Sequence, residues 1–196
     1  SELADPELHE YTNIIIEESD RLTSLVDRLL GPRTLPSFKS ANIHEILERI
    51  RKLTELDANS NLEIIRDYDP SIPEICIDAE MMQQAILNIV RNAMQGLDHT
   101  PEPQIRIVTR TERQFTIASV RHRNVLRIDI TDNGPGIPET LKEHLFYPMI
   151  SGRPNGTGLG LSVAHSIVHQ HQGIIEFESI PGETTFTIII PLERIE

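Results

Sequence analysis

The chain has 196 residues, and its 18 Lys and Arg stand against 30 Asp and Glu for a formal charge of −12; a nucleic-acid surface needs clustered positive charge, so no nucleic-acid partner is expected. A single cysteine rules out an internal disulfide. With no run near the ~20 apolar residues of a membrane span and no leader-like start, the composition points to a cytoplasmic chain without membrane insertion, long enough for one to one and a half domains with a sizeable core.

The first predicted element is a helix with a seam. Leu8, Tyr11, Ile15, Leu22, Leu25 and Leu29 follow alternating steps of three and four that only Glu18 interrupts, the spacing of a coiled coil or bundle. Gly31-Pro32 stops this helix in the usual glycine-then-proline order, and Pro36 marks a linker. The chain thus divides into a seam helix over 1–31, a linker over 32–37 and a folded domain over 38–196. No second helix of matching pattern occurs, so the seam is expected to meet another chain or another helix.

Mixed α and β signals follow. Asn42 can cap a helix over 43–57, with Glu45 in the capping-box position, and Leu62–Arg66 reads as a strand. A short strand from Ile75 to Ile77 places Cys76 in an apolar run, where an inert buried thiol is expected. Asp78 is a suitable N-cap for a helix over 79–97. Residues Gln104–Arg110 and Val125–Thr131 alternate polar and apolar as strands do, and the second ends at Asp132. Pro138 suits the first turn of a short helix to about 145, and 146–155, rich in Gly and Pro, reads as a mobile lid. A helix over 158–171 and strands Ile174–Glu178 and Thr184–Ile190 complete the domain. His165, His169 and His171 fall near the end of that helix, where cationic histidines would suit its dipole.

Three features carry chemistry. At about 100° per residue, Asn88, Asn92 and Gln95 share one helix face, opposite Met82, Ile86, Ile89, Val90, Ala93 and Leu97. The apolar side packs, and the amide side must face something polar; an Asn carbonyl is a hard oxygen of the kind Mg2+ takes beside water and nucleotide phosphates. Asp132 leads Asn133-Gly134-Pro135-Gly136, and a buried carboxylate can only accept hydrogen bonds. Adenine's exocyclic amino group is a donor and guanine's O6 is not. Finally, Gly156-Thr157-Gly158-Leu159-Gly160-Leu161 opens a helix, so bare backbone and free N–H groups can meet phosphate.

Taken in order, these segments resemble the ATP-binding catalytic domain of two-component sensor histidine kinases. Residues 88–93 look like that family's N box and Asp132-Asn-Gly-Pro-Gly136 like its first glycine box. Leu145-Phe-Tyr-Pro-Met149 looks like its F box, 156–161 like its second glycine box, and Gly182-Glu-Thr-Thr-Phe186 with Ile190-Pro191 like its closing box. The resemblance implies the Bergerat fold, an α/β (α+β) two-layer sandwich with helices over one face of a mixed sheet. It also implies ATP and Mg2+ as cofactors, with Asn92 on the metal and Asn88 and Arg153 in catalysis. Nucleotide contacts would come from Asn88, Asn92, Gln95, Asp132, Gly134, Gly136, Ile137, Arg153, the 156–161 segment and Thr184.

Two phrases, Phe146-Tyr-Pro-Met-Ile-Ser-Gly-Arg153 and Leu62-Glu-Ile-Ile-Arg-Asp-Tyr-Asp-Pro70, resemble more narrowly the NtrB-type nitrogen-regulation sensors. That implies an NtrC-type response regulator and the PII signal protein as partners. The seam helix then looks like the second helix of a dimerisation hairpin, implying a homodimer through the complete hairpin. Many sensor kinases place a Lys where Gln95 stands, so phosphate charge falls to Arg153 or Arg91. None of the eight histidines has the acidic, basic and Asn-Pro context of a phospho-acceptor, so self-phosphorylation of this chain alone is not expected. The alternatives are an ATPase on the same pocket, whose Glu for activating water would stand where Asn88 does, and a non-catalytic nucleotide-binding module.

Overall fold

The computed structural model describes residues 36–57, 61–150 and 157–193. The seam helix, most of the linker, residues 151–155 of the lid, Arg153 among them, and Gly156 lie outside the described residues. The folded part begins with a three-residue strand, β1 (Lys39–Ala41), which pairs antiparallel with β3 (Ile75–Ile77), Ser40 opposite Cys76. Between them come α1 (Ile43–Asp57) and β2 (Glu63–Tyr68). The Asn42 side chain accepts the His44 N–H at 2.9 Å, starting α1 where expected.

The sheet that forms the body of the domain has the order β2-β4-β5-β7-β6, with β4 (Gln104–Ile117), β5 (Val120–Asp132), β6 (Ile174–Ile180) and β7 (Glu183–Pro191). Only β2 and β4 run parallel, so the sheet is mixed. Period-2 alternation sends Ile105 and Ile107, Leu126, Ile128 and Ile130, and Phe186, Ile188 and Ile190 to one face. There they join the apolar sides of α1, α2 (Ala79–Gly96) and α4 (Gly160–Gln170) in one core, while the one-turn α3 (Glu139–Lys142) buries none of its residues. Phe186, fully buried, is among its largest side chains; burying one of that size contributes about 1.5–3 kcal/mol. The opposite face carries a small second apolar cluster, Ile117, Val125 and Ile189 with Phe115 and Ile174, beside polar side chains. Asp129 there accepts from the Arg127 guanidinium at 2.9 Å and from the Thr187 hydroxyl at 2.7 Å. No described helix is long and apolar enough to cross a membrane.

Three expectations change. Cys76 is exposed, because β3 alternates and Ile75 and Ile77 take the core side. The strands expected to end at Arg110 and begin at Val125 instead continue outward as a hairpin, closed by Ala118 and Ser119. Of the histidines expected as cations near the end of α4, burial lowers the His165 pKa, with His169 adding to the lowering, and His171 is buried in two hydrogen bonds.

Candidate functional site

A cleft of about 1240 Å3 opens between α2, the loop after β5 and the start of α4. Each wall follows from local sequence. Asp78 caps α2, its carboxylate accepting from the N–H groups of Glu80 and Met81 at 3.1 and 3.0 Å. Burial of Met81, Met82, Ala85, Ile86, Ile89, Val90 and Ala93 then fixes the rotation of α2. That rotation leaves Asn88 and Asn92 half-buried on the cleft wall, with Gln95 exposed at its end.

The second wall is the turn after β5. Asp132, 6% exposed, accepts the Gly134 N–H at 3.0 Å. A Cβ added to Gly134 would lie 2.7 Å from the Asp132 Oδ1, so the carboxylate keeps its place only beside glycine. Gly136, at φ +87, packs its backbone on Ile180. Asn133 braces the turn from behind, accepting the Gln104 N–H at 2.8 Å and donating to the Glu102 carbonyl at 3.0 Å. Ser179 braces it from the side: its hydroxyl accepts the Ile137 N–H at 2.8 Å and meets the Thr184 hydroxyl at 2.8 Å.

Thr157, Gly158, Leu159, Gly160 and Leu161 form the third wall. Among the described residues no side chain caps α4 at Leu159, and its first turn lines the cleft, the arrangement in which helix N–H groups and a positive dipole end receive phosphate. The apolar rim adds Leu141, Leu145 and Ile150.

The structure therefore gathers Asn88, Asn92, Gln95, Asp132, Gly134, Gly136, Ile137, Thr184 and residues 157–161 around one cleft. Arg153 and Gly156, also expected there, lie outside the described residues. Sequence reasoning missed Ser179 and Asn133. A register partner of Thr184 identifies Ser179 only once the β6–β7 pairing is known. Among the described residues no group of three or more His, Cys, Asp or Glu could hold a metal alone. Two half-buried neutral amides fit a hydrated Mg2+ carried in by phosphates, since that ion keeps waters and takes few protein oxygens.

Residues 77–194 match the family described as "Histidine kinase-, DNA gyrase B-, and HSP90-like ATPase". The chain belongs to this family. It is closely related to NtrB-type sensor histidine kinases. It is 54% identical to the sensory histidine kinase/phosphatase NtrB of Vibrio alginolyticus over 98% of its own length, and spans 55% of that relative's. Among solved structures, the nucleotide-free catalytic domain of the histidine kinase ThkA superposes with a TM-score of 0.65 at 28% identity, covering 80% of this chain and 96% of that one. ThkA in complex with the response regulator TrrA gives 0.68, also at 28% identity, covering 97% of this chain and 53% of that one. The ATP-binding module of this family thus spans residues 77–194.

Proposed function

We propose that this chain is the ATP-binding catalytic part of an NtrB-like sensor histidine kinase. It would pass the γ-phosphoryl of ATP to a histidine outside this chain, for relay to an NtrC-type response regulator. The observation that carries the reading is the convergence on one cleft of a buried acceptor, Asp132, two amides, Asn88 and Asn92, and the uncapped start of α4.

In this reading Asp132 accepts from the adenine amino group and the α4 N–H groups hold phosphate. Asn92 gives an oxygen to Mg2+, which supplies charge neutralisation, and Arg153 meets the transferring phosphoryl. Catalysis is then positioning and electrostatic stabilisation. Asn88 cannot serve as a base toward water, which favours transfer over hydrolysis.

The relative that this chain resembles is named both kinase and phosphatase, and a phosphatase activity, regulation by PII and homodimerisation through a complete hairpin, to which residues 1–31 would contribute the second helix, belong to the same proposal. So do the boundaries 1–31, 32–37 and 38–196. Calorimetry tests the core of it. A charge-assisted hydrogen bond is worth about 1.5–3 kcal/mol, so Asp132→Asn should weaken ATP roughly ten- to a hundredfold, and GTP should bind the wild type poorly. Equal ATP and GTP affinities, or an Asp132→Asn variant that binds like wild type, refute it.

A further inference from the structure

The two helices that wall the cleft run antiparallel and meet twice. At the cleft end Gly160, opening α4, faces Asn88 of α2; a Cβ built on Gly160 would sit 3.8 Å from the Asn88 Cβ. At the far end His171, closing α4, meets Asp78, which caps α2. His171 is 5% exposed. Its Nδ1 lies 2.7 Å from the Ile167 carbonyl, and its Nε2 accepts the Asp78 N–H at 3.1 Å. A carbonyl only accepts and a backbone N–H only donates, so both contacts together specify the neutral imidazole protonated on Nδ1.

The strand entering the domain arrives at the same place. The Ser37 N–H donates to the Asp78 carboxylate at 2.7 Å. The Phe38 ring stands edge-on to His171, with centroids 5.1 Å apart.

We infer that His171 is a positioning residue: it fixes the setting of α2 against α4 and ties that setting to the entering strand, coupling Ser37 and Phe38 to the cleft. The geometry stands alone; its consequence for ATP rests on the proposed function. The lever is long enough. With 11 residues, α4 measures about 16 Å, so a tilt of about 4° at His171 moves its start by about 1 Å. An error of that size matters where phosphates are positioned.

The test uses the whole chain. Imidazole nitrogen NMR at neutral pH should show a neutral Nδ1–H histidine whose signal is lost in His171→Leu. That variant keeps a buried apolar side chain without the two hydrogen bonds. It should exchange the Asp78 amide hydrogen faster and bind ATP about tenfold more weakly, the loss of roughly one hydrogen bond. His171→Gln, whose carbonyl can still accept from Asp78, should recover most of the affinity. Phe38→Ala, outside the cleft, should weaken ATP in the same direction as His171→Leu. An imidazolium or an Nε2–H tautomer at His171 overturns the inference, as does a His171→Leu variant with wild-type affinity and wild-type Asp78 exchange. Should His171→Leu not fold, the tautomer, His171→Gln and Phe38→Ala decide. A wild-type chain that binds no nucleotide refutes the functional reading instead, leaving tautomer and exchange to judge the coupling.

Discussion

Gly158 and Gly160 stand two residues apart and answer to different constraints. Gly158 has φ +65, and a Cβ there would come within 2.6 Å of the Ile150 and Met149 backbone. Its carbonyl accepts the Met149 N–H at 3.1 Å, tying the base of the lid to the start of α4. Alanine must therefore both adopt a left-handed backbone, costing about 1–2 kcal/mol, and push the Met149–Ile150 segment away. Gly160 is helical, and an added Cβ would meet only the Asn88 side chain, at 3.8 Å, an ordinary contact distance. Gly158→Ala is expected to lower the urea midpoint and to cost ATP affinity, whereas Gly160→Ala should fold at least as stably as wild type. Urea titrations and calorimetry on the pair check this, and equal midpoints for the two variants would contradict it.

Elements were legible where periodicity and capping agreed, and illegible where the chain broke its usual turn chemistry. The helix α2 combines an Asp cap with seven buried positions on one side, so its bounds and the amide face that builds the cleft could be read from the residues. The β4–β5 hairpin could not. Its two-residue turn has Ala118 at φ +45 and Ser119 at φ +74, where such turns ordinarily carry Asn-Gly, and no signal marked it. Likewise β1 has only three residues and exists through its pairing with β3. The missed turn gives a prediction: replacing Ala118-Ser119 with Asn-Gly removes left-handed strain of about 1–2 kcal/mol per residue, less some entropy lost at glycine. The thermal midpoint should rise by roughly 2–4 °C for each kcal/mol of strain removed, and ATP affinity should stay unchanged. The turn lies at the opposite end of β5 from Asp132, a span of 13 residues or about 40 Å. A lower midpoint would show that the turn's backbone is not strained.

At the scale of the whole molecule the difficulty is charge. A chain with a formal charge of −12 must receive a polyanion. Six of its Lys and Arg lie between Arg106 and Arg127, away from the cleft, where Arg110 pairs with Asp67 and Arg127 with Asp129 and Glu112. Among the described residues lining the cleft, Arg91 is the one Arg or Lys, and the same lining includes the carboxylates Asp98 and Asp132. Backbone N–H groups at the start of α4 contribute only about half a charge. In the proposed reading the phosphates are neutralised largely by Mg2+, and Asn92 is the amide that orients it. ATP affinity should therefore fall steeply when EDTA removes Mg2+, and Asn92→Ala should lose most of that difference by binding Mg·ATP nearly as weakly as metal-free ATP. ADP should depend less on both the metal and Asn92, because one phosphate fewer fixes the ion. Paired calorimetric titrations of wild type and Asn92→Ala, each with Mg2+ and with EDTA, measure the coupling directly. The same Mg2+ effect in both proteins would remove Asn92 from the metal site and leave the charge to be met by groups such as Arg91.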